Sequence, residues 1–501
     1  MSLPAASTAT PPPTQPPESM SAARPPAAFT AAAATAIVAA VALSWDRPGI
    51  GWLLTALVVL AAVLVTVRSG RRGGEVARVW SGRATVRAGY AVAAATLLAV
   101  GAVRAAGWLF VLCALTAGLV GCVALTDRWS LGGMLLAPLQ VAGSVPAALR
   151  WLVRGGTRAP GQDRDTFVRT LVSGLIAVAL LFVFGFLLAG ADAAFAQVLS
   201  TMVPSVDRGT MFQLIWSAAV AVTVTAAAAH TLLAGATAPE EQPRLGLVRR
   251  VEWALPVGGL VALFAGFVAV QATVLFGGSD HVLATAGLTY AQYARSGFWQ
   301  LLAVTGLTVI VVGLAAQIAP RSAATDRVLL RTLLGLLSAL TLVIVASALS
   351  RMAAYEQAYG FTRQRLLVTA CELWLGVVFL LILVAGIRLR GRWVPRAALA
   401  AAVAALLGLA ILNPDAFIAR QNVARFVETG RIDVDYLTTL SADAVPALQS
   451  LPEPYRSCAL AAITNELAGD RPETWLEWNL GRGTARIQLH DNPAATVSCP
   501  P

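Results

Sequence analysis

Residues 351–365, RMAAYEQAYGFTRQR, place three arginines, two tyrosines and a glutamate between two long apolar runs. Arg351, Tyr355, Tyr359 and Arg363 recur at every fourth position, so a helix would align them as one stripe with the phenols flanked by guanidiniums. Glu356 lies beside that stripe. Arg365, Thr369 and Glu372 share another face, and Glu372 falls about two turns into the following apolar run. An ionised carboxylate at that depth is costly unless paired, which makes Arg365 its expected partner. Guanidiniums beside phenols suit an anionic ligand, a lipid headgroup or the acidic surface of a partner protein. The same residue types also form the aromatic and cationic belt that anchors helix ends at a membrane surface.

Other polar residues could converge on this string. Asp192 ends an apolar run in GADAAF, and the segment 277–297 carries Tyr290 and Tyr293. In NPDAFIARQNVARF, Asn413 suits a helix N-cap, Pro414 the first helical position and Asp415 the positive end of the helix dipole. Arg420 and Asn422 follow on that helix. The three histidines, His230, His281 and His490, are far apart and form no metal-ligand spacing. No phosphate-binding glycine loop, nucleophile elbow or zinc-protease motif is present. No catalytic residue, metal or cofactor is therefore expected.

The elements that must position these groups are membrane helices. The chain has 501 residues, of which 57% are hydrophobic and 13% charged, against about 25% charged in soluble domains. Apolar runs fall near 27–44, 50–67, 88–103, 107–126, 167–190, 211–236, 251–276, 298–318, 328–350, 366–387 and 396–412, about eleven spans. This predicts an all-α, polytopic transmembrane helical bundle, because backbone polar groups in lipid must be satisfied within the segment. The stretch 129–150 is apolar but interrupted by Pro138 and Pro146. It is expected to be interfacial or re-entrant, and a true span there would invert everything that follows.

All 37 basic residues are arginine, and their placement sets the topology. Alternate linkers (68–87, 127–169, 237–250, 319–331 and 388–396) hold 22 of them, and the short linkers between hold seven. The positive-inside rule makes the richer set cytoplasmic. The N-terminus is then cytoplasmic, and residues 351–365 and the chain after Pro414 are extracytoplasmic, in the inner membrane of a cell. The net charge of +11 follows from these arginines and not from a basic stripe with interleaved aromatics, so no nucleic-acid partner is expected.

Five regions result. Residues 1–26 are a Pro/Ala-rich cytoplasmic tail, expected to be disordered. Residues 27–126 hold the N-terminal spans, 127–166 a cytoplasmic loop with the candidate interfacial helix, and 167–413 the transmembrane core. Residues 414–501 carry eleven acids against seven arginines and read as a small helical extracytoplasmic region, with helices at 414–428, about 441–450, 454–468 and 474–480. Cys458 and Cys499 lie outside the spans, where either a disulfide or two free thiols fits. Trp475 and Trp478 are expected to rest on the membrane domain.

Three strings carry a resemblance: YAQYARSGFWQLLAV (290–304), SRMAAYEQAYGFTRQRLLVTACELWLGV (350–377) and NPDAFIARQNVARF with GRIDVDYLTTLSADAVPAL (413–448). With GADAAFAQVL (190–199), they resemble the bacterial membrane family catalogued as domain of unknown function 4173, a relative of 4153. The composition has an actinobacterial flavour. The resemblance implies a fold and no activity, cofactor or catalytic residue. The leading expectation is a non-enzymatic envelope scaffold or regulatory or sensory partner, whose outward polar site meets lipid headgroups or a membrane protein. A transporter of a small or anionic solute, or a glycosyl- or acyltransferase on lipid-linked substrates, would instead need a polar cavity in the membrane.

Overall fold

The computed structural model describes residues 27–70, 83–127, 130–154, 208–233, 249–276, 298–389, 391–469, 473–495 and 499. Within them the chain is helical, with no strand. The bundle helices are α1 (Ala27–Ala42), α2 (Ile50–Gly70), α3 (Arg83–Val103), α4 (Gly107–Thr126), α5 (Leu131–Arg154), α6 (Arg208–Leu233), α7 (Arg250–Phe276), α8 (Phe298–Ile318), α9 (Ala324–Tyr359), α10 (Arg363–Arg388) and α11 (Val394–Leu412). All but the 16-residue α1 are long and apolar enough to cross a membrane. This is a multi-pass membrane protein. The expected span 167–190, and with it Asp192, Tyr290 and Tyr293, lies outside the described residues.

The C-terminal region is also helical: α12 (Pro414–Thr429), α13 (Val434–Thr438), α14 (Val445–Leu448), α15 (Tyr455–Ala468) and α16 (Leu480–Asp491), with short 3-10 turns at Ala442–Ala444 and Trp475–Glu477. These elements form a cap on one end of the bundle. They do not make a separate domain: Ile418, Leu437, Leu448, Leu460 and Ile463 of the cap share one buried cluster with Leu97, Leu109 and Cys113 of α3 and α4. Fusing the two cores removes the size limit that fewer than 90 residues would face alone. A second buried cluster joins α7, α8, α9 and α10, with Trp253, Leu337 and Phe379 its most buried large side chains. Cys458 and Cys499 are joined by a disulfide within the cap.

Helix ends meet the cap in alternation. The α1–α2 linker touches it through the Ile50 amide, which donates to the Trp478 carbonyl at 3.1 Å. Asn479 donates to the carbonyls of Gly101 and Arg104 at the end of α3, both at 2.8 Å. The start of α6 joins the end of α1, where Gln213 donates to the Leu43 carbonyl at 2.8 Å. At the far end, Arg250 of α7 pairs with Asp326 of α9 at 2.6 Å.

Helix α9 is longer than the span expected at 328–350. It runs 36 residues without a break, about 54 Å, well past a hydrocarbon core of roughly 30 Å. The tyrosine-rich string is the helical extension of this span as far as Tyr359. The helix stops at Gly360, whose φ of +81° with ψ of 176° is a region open essentially only to glycine. Thr362 then N-caps α10, accepting from the Arg365 amide at 3.4 Å. Arg363 therefore starts a new helix and does not extend the stripe of Arg351, Tyr355 and Tyr359.

The stretch expected as interfacial is an uninterrupted 24-residue helix, α5, despite Pro138 and Pro146. Its buried residues recur along one face, among them Met134, Ala137, Ala148, Trp151 and Leu152. Met134 and Ala137 join Val120 and Val123 near the far end of α4. Trp151 and Leu152 join Ala28 and Ala229, at the far ends of α1 and α6. Both ends of α5 thus lie at the end of the bundle away from the cap.

Candidate functional site

The polar residues singled out from the sequence gather where the α9–α10 turn meets α12. Asp415, fully buried in the first turn of α12, is the hub. Its Oδ1 accepts from Arg363 Nε at 2.9 Å and Trp108 Nε1 at 3.2 Å. Its Oδ2 accepts from the Ser441 amide at 2.9 Å and from Arg363 Nη2. Four donors converge on one carboxylate, two of them from one guanidinium, the fork geometry that makes Arg–carboxylate pairs strong. Burial pushes the Asp415 carboxyl up, but the Arg363 hydrogen bond and charge and the Ser441 N–H outweigh it and hold the group below the usual aspartate range. Tyr436 completes the knot, its hydroxyl accepting from the Arg363 amide at 2.7 Å.

A second clamp holds the turn itself. Asn422 accepts from the Phe361 amide at 3.1 Å and donates to the Phe361 carbonyl at 2.9 Å, one residue answering both backbone groups. A Cβ on Gly360 would lie 2.4 Å from Asn422 Oδ1, so glycine is required for space as well as for φ. Arg425 donates to the Ala358 carbonyl at 2.7 Å. The Arg365 guanidinium donates to the Gly360 carbonyl and lies 4.1 Å from the centre of the Tyr355 ring. Tyr355 in turn packs edge-on against Tyr359 at 5.0 Å.

Two expected contacts are replaced by others. Arg365 does not pair with Glu372: its side chain turns up toward the helix end, while Glu372 lies seven residues deeper, about 10 Å along the axis. Both Glu372 oxygens are buried without a hydrogen-bond partner. Asn413 does not cap α12 with its side chain either. It sits at φ 57° between α11 and α12 and accepts from the Phe417 amide through its backbone carbonyl at 2.8 Å, while Oδ1 is buried and unbonded. Of the remaining candidates, Arg351 is half-buried, Glu356 is buried, and Arg420 is exposed on α12.

Several cap residues were not singled out from the sequence. Asp443 Oδ2 accepts from the amides of Ala105 and Ala106 at 2.7 and 3.2 Å, tying the cap to the N-terminus of α4. Burial raises the Asp443 carboxyl to about 6, against the lowering effect of the Ala105 amide and of Arg104. A Cβ at Gly481 would fall 2.0 Å from Asp443 Oδ1, so α16 can approach only with glycine there. Arg482 bonds Glu473 and the carbonyls of Pro48 and Glu477, and Glu473 also takes Arg486. The desolvation of Glu473 is outweighed by these two arginines, which hold its carboxyl below the normal glutamate range. Local signals for this region were a cap-box spacing at Thr474 and Glu477 and an N-cap residue at Asn479, whose side chain accepts from the Arg482 amide at 3.0 Å.

With this geometry in place, comparison with known families gives a single assignment. Residues 91–451 match the model of a family described as Domain of unknown function (DUF4153). The chain belongs to this family. The match takes in Trp108, Arg363, Asp415, Asn422, Tyr436, Ser441 and Asp443, and stops before Glu473, Arg482 and Arg486. Neither the curated proteins nor the solved structures gave a match.

Proposed function

We propose that this DUF4153 protein, close to the 4173 branch, is a non-enzymatic envelope scaffold or regulatory partner whose working surface is the cap. The observation that carries the reading is how the polar residues are used. Arg363, Asp415, Asn422, Asp443, Asn479 and Arg482 are turned inward and bond bundle ends to cap elements. Groups so committed hold a platform rigid and leave little free chemistry for a substrate. A transporter or lipid-linked transferase requires a polar cavity within the membrane. Among the described residues, the cavity between the spans at Glu372 has room for about one water molecule, and the larger one, about 320 Å³ between Leu43, Gln213, Thr474 and Glu477, lies at the junction of α1, α6 and the cap, which supports the scaffold reading.

The cap faces the extracytoplasmic side of the inner membrane in this reading. The arginine-rich linkers belong to the far end, and the Cys458–Cys499 disulfide fits an oxidising compartment. Helix α5 then lies along the cytoplasmic interface, since both of its ends pack there. The segment of Trp475 and Trp478 meets the start of α2, where the Ile50 amide donates to the Trp478 carbonyl, and the two side chains stay 70% and 49% exposed. Together with the exposed Trp45 and Trp216 they suit an aromatic belt at the outer interface. Partners would be lipid headgroups or a membrane protein meeting the exposed side of α12, around Arg420 and Val427.

Two experiments test this. Single cysteines at Val427 and Ser322 should react with an impermeant thiol reagent in intact cells at 427 only; the opposite pattern overturns the orientation. Arg420→Glu with Val427→Asp should remove a partner or lipid that co-purifies with the wild type in mild detergent. Solute uptake by reconstituted protein, or turnover of a lipid-linked sugar, would refute the scaffold reading.

A further inference from the structure

Glu372 has no role in the cap clamps, and its surroundings single it out. It is 2% exposed, in α10 about 13 Å below Arg363. It lines the small cavity with Ala348, Leu349 and Met352 of α9 and Val368 and Thr369 of α10. Neither carboxylate oxygen has a hydrogen-bond partner, and Thr369 Oγ1 and Glu356 Oε1 are likewise buried and unbonded. Ala348, Met352 and Glu356 follow one face of α9 at four-residue spacing, and Arg365 and Thr369 do the same on α10. A seam of unsatisfied polar atoms therefore follows the α9–α10 contact from the cavity toward the capped end.

Among the described residues, no cation answers the carboxyl. On its own helix, Arg363 is bound to Asp415, Arg365 is bound to Gly360 and Tyr355, and Arg388 is at the opposite end. Cys371 is adjacent in sequence. From α9 the ionisable groups near the seam are Glu356, Arg351, Tyr355 and Tyr359; α8 contributes none. On α11 the one charge is Arg396 at the far end, and α12 carries Asp415, Arg420, Arg425 and Glu428 above the turn. An ionised carboxylate among apolar side chains without a counter-charge is strongly disfavoured, whereas the neutral acid needs only a water or a hydroxyl.

We propose that Glu372 is an intramembrane proton-binding site, occupied as the neutral acid and exchanging its proton with the capped side along the Thr369–Glu356 seam. This goes beyond the scaffold reading and does not depend on it. Proton loss would put a bare charge between α9 and α10, directly beneath the turn that Asn422 clamps, so occupancy of the site couples to docking of the cap.

The chemistry of the neutral acid provides the test. A hydrophobic carbodiimide reacts with a buried carboxylic acid: the acid proton passes to a carbodiimide nitrogen and the carboxylate oxygen adds to the central carbon. The adduct then rearranges to a stable N-acylurea with nothing released. Full-length protein in phospholipid nanodiscs is treated with dicyclohexylcarbodiimide from pH 6 to pH 9, and adducts are mapped by peptide mass spectrometry. Labelling is expected at Glu372, absent in Glu372→Gln, and falling about tenfold per pH unit above its midpoint. Glu372→Gln should melt as the wild type does in acid and lose less stability than the wild type at high pH, and with Asp443→Asn as the common background it should show no such loss while the Asp443→Asn parent still does. Absence of an adduct at Glu372 at every pH overturns the proposal, as does protection by sodium ion at fixed pH, which would make this a metal-cation site.

Discussion

Asp415→Asn tests the central clamp with almost no change in shape. In the wild type, Oδ1 takes Arg363 Nε and Trp108 Nε1, and Oδ2 takes Arg363 Nη2 and the Ser441 amide. An asparagine keeps one acceptor atom and replaces the other with an NH2 that faces two donors. Two hydrogen bonds are lost at roughly 1–3 kcal/mol each, and the arginine loses its counter-charge. That sum agrees with the about 3–5 kcal/mol typical of removing one partner from a buried pair. Arg363 is 29% exposed and Asp415 not at all, so solvent compensates only in part. A loss of about 3 kcal/mol raises the open population of the cap by roughly two orders of magnitude. Hydrogen exchange at the Ser441 amide reads this directly, since that proton is held by the mutated side chain. Exchange should rise at Ser441 and through α12–α14, while buried amides of α9 and α10 keep their protection. Unchanged exchange at Ser441, with an unchanged melting midpoint in detergent, would show that Asp415 does not hold the cap.

Gly360→Ala should cost about 1–3 kcal/mol by backbone strain alone, more once its Cβ displaces Asn422, and appear as earlier thermal release of the cap. Cap stability should vary with pH in two opposed limbs. Asp443, raised to about 6 in the fold, contributes stability that is present in acid and lost as pH rises through 6. Asp415, held low, contributes stability present above the ordinary aspartate range and lost as pH falls below it. Protection from exchange and the melting midpoint should therefore peak in mild acid, and Asp443→Asn should remove the part of the upper limb near pH 6 and leave the acid limb and the part due to Glu372. Reducing the Cys458–Cys499 bridge, which closes a separation of 41 residues, should cost about 4 kcal/mol by chain entropy, seen as a lower melting midpoint with reductant that Cys499→Ser reproduces without it.

The family match covers the bundle from α3 onward together with most of the cap, as far as Leu451. The clamps formed by Glu473, Arg482 and Arg486 lie beyond it, so the proposed platform has a part within the matched residues and a part outside them. Asp415→Asn probes the first part. Glu473→Gln, which removes the carboxylate shared by two arginines, probes the second.

Composition and periodicity determined the membrane helices, because lipid leaves the backbone no alternative to helix and the apolar runs are long enough to show it. The alternation of arginine-rich and arginine-poor linkers sorted the helix ends into two sets, and the described arginine-poor ends, at 44–49, 104–106 and 360–362, lie at the cap. A local signal also marked the start of α12 at Pro414, whereas the stripe expected to run on to Arg363 overlooked the break at Gly360. Tertiary structure alone decided the pairings. Trp108 reaches Asp415 across 307 residues and Asn479 reaches Gly101 across 378, separations that no short-range pattern encodes. Arg365 and Glu372 stand two turns apart on one helix, so sequence suggested a pair. In the folded protein a tyrosine ring and a turn carbonyl lie closer to the guanidinium, and the carboxyl is left to the cavity. Helix α16 was missed for a related reason: its glycines argue against a helix, and Gly481 is there because Asp443 leaves no room for a side chain.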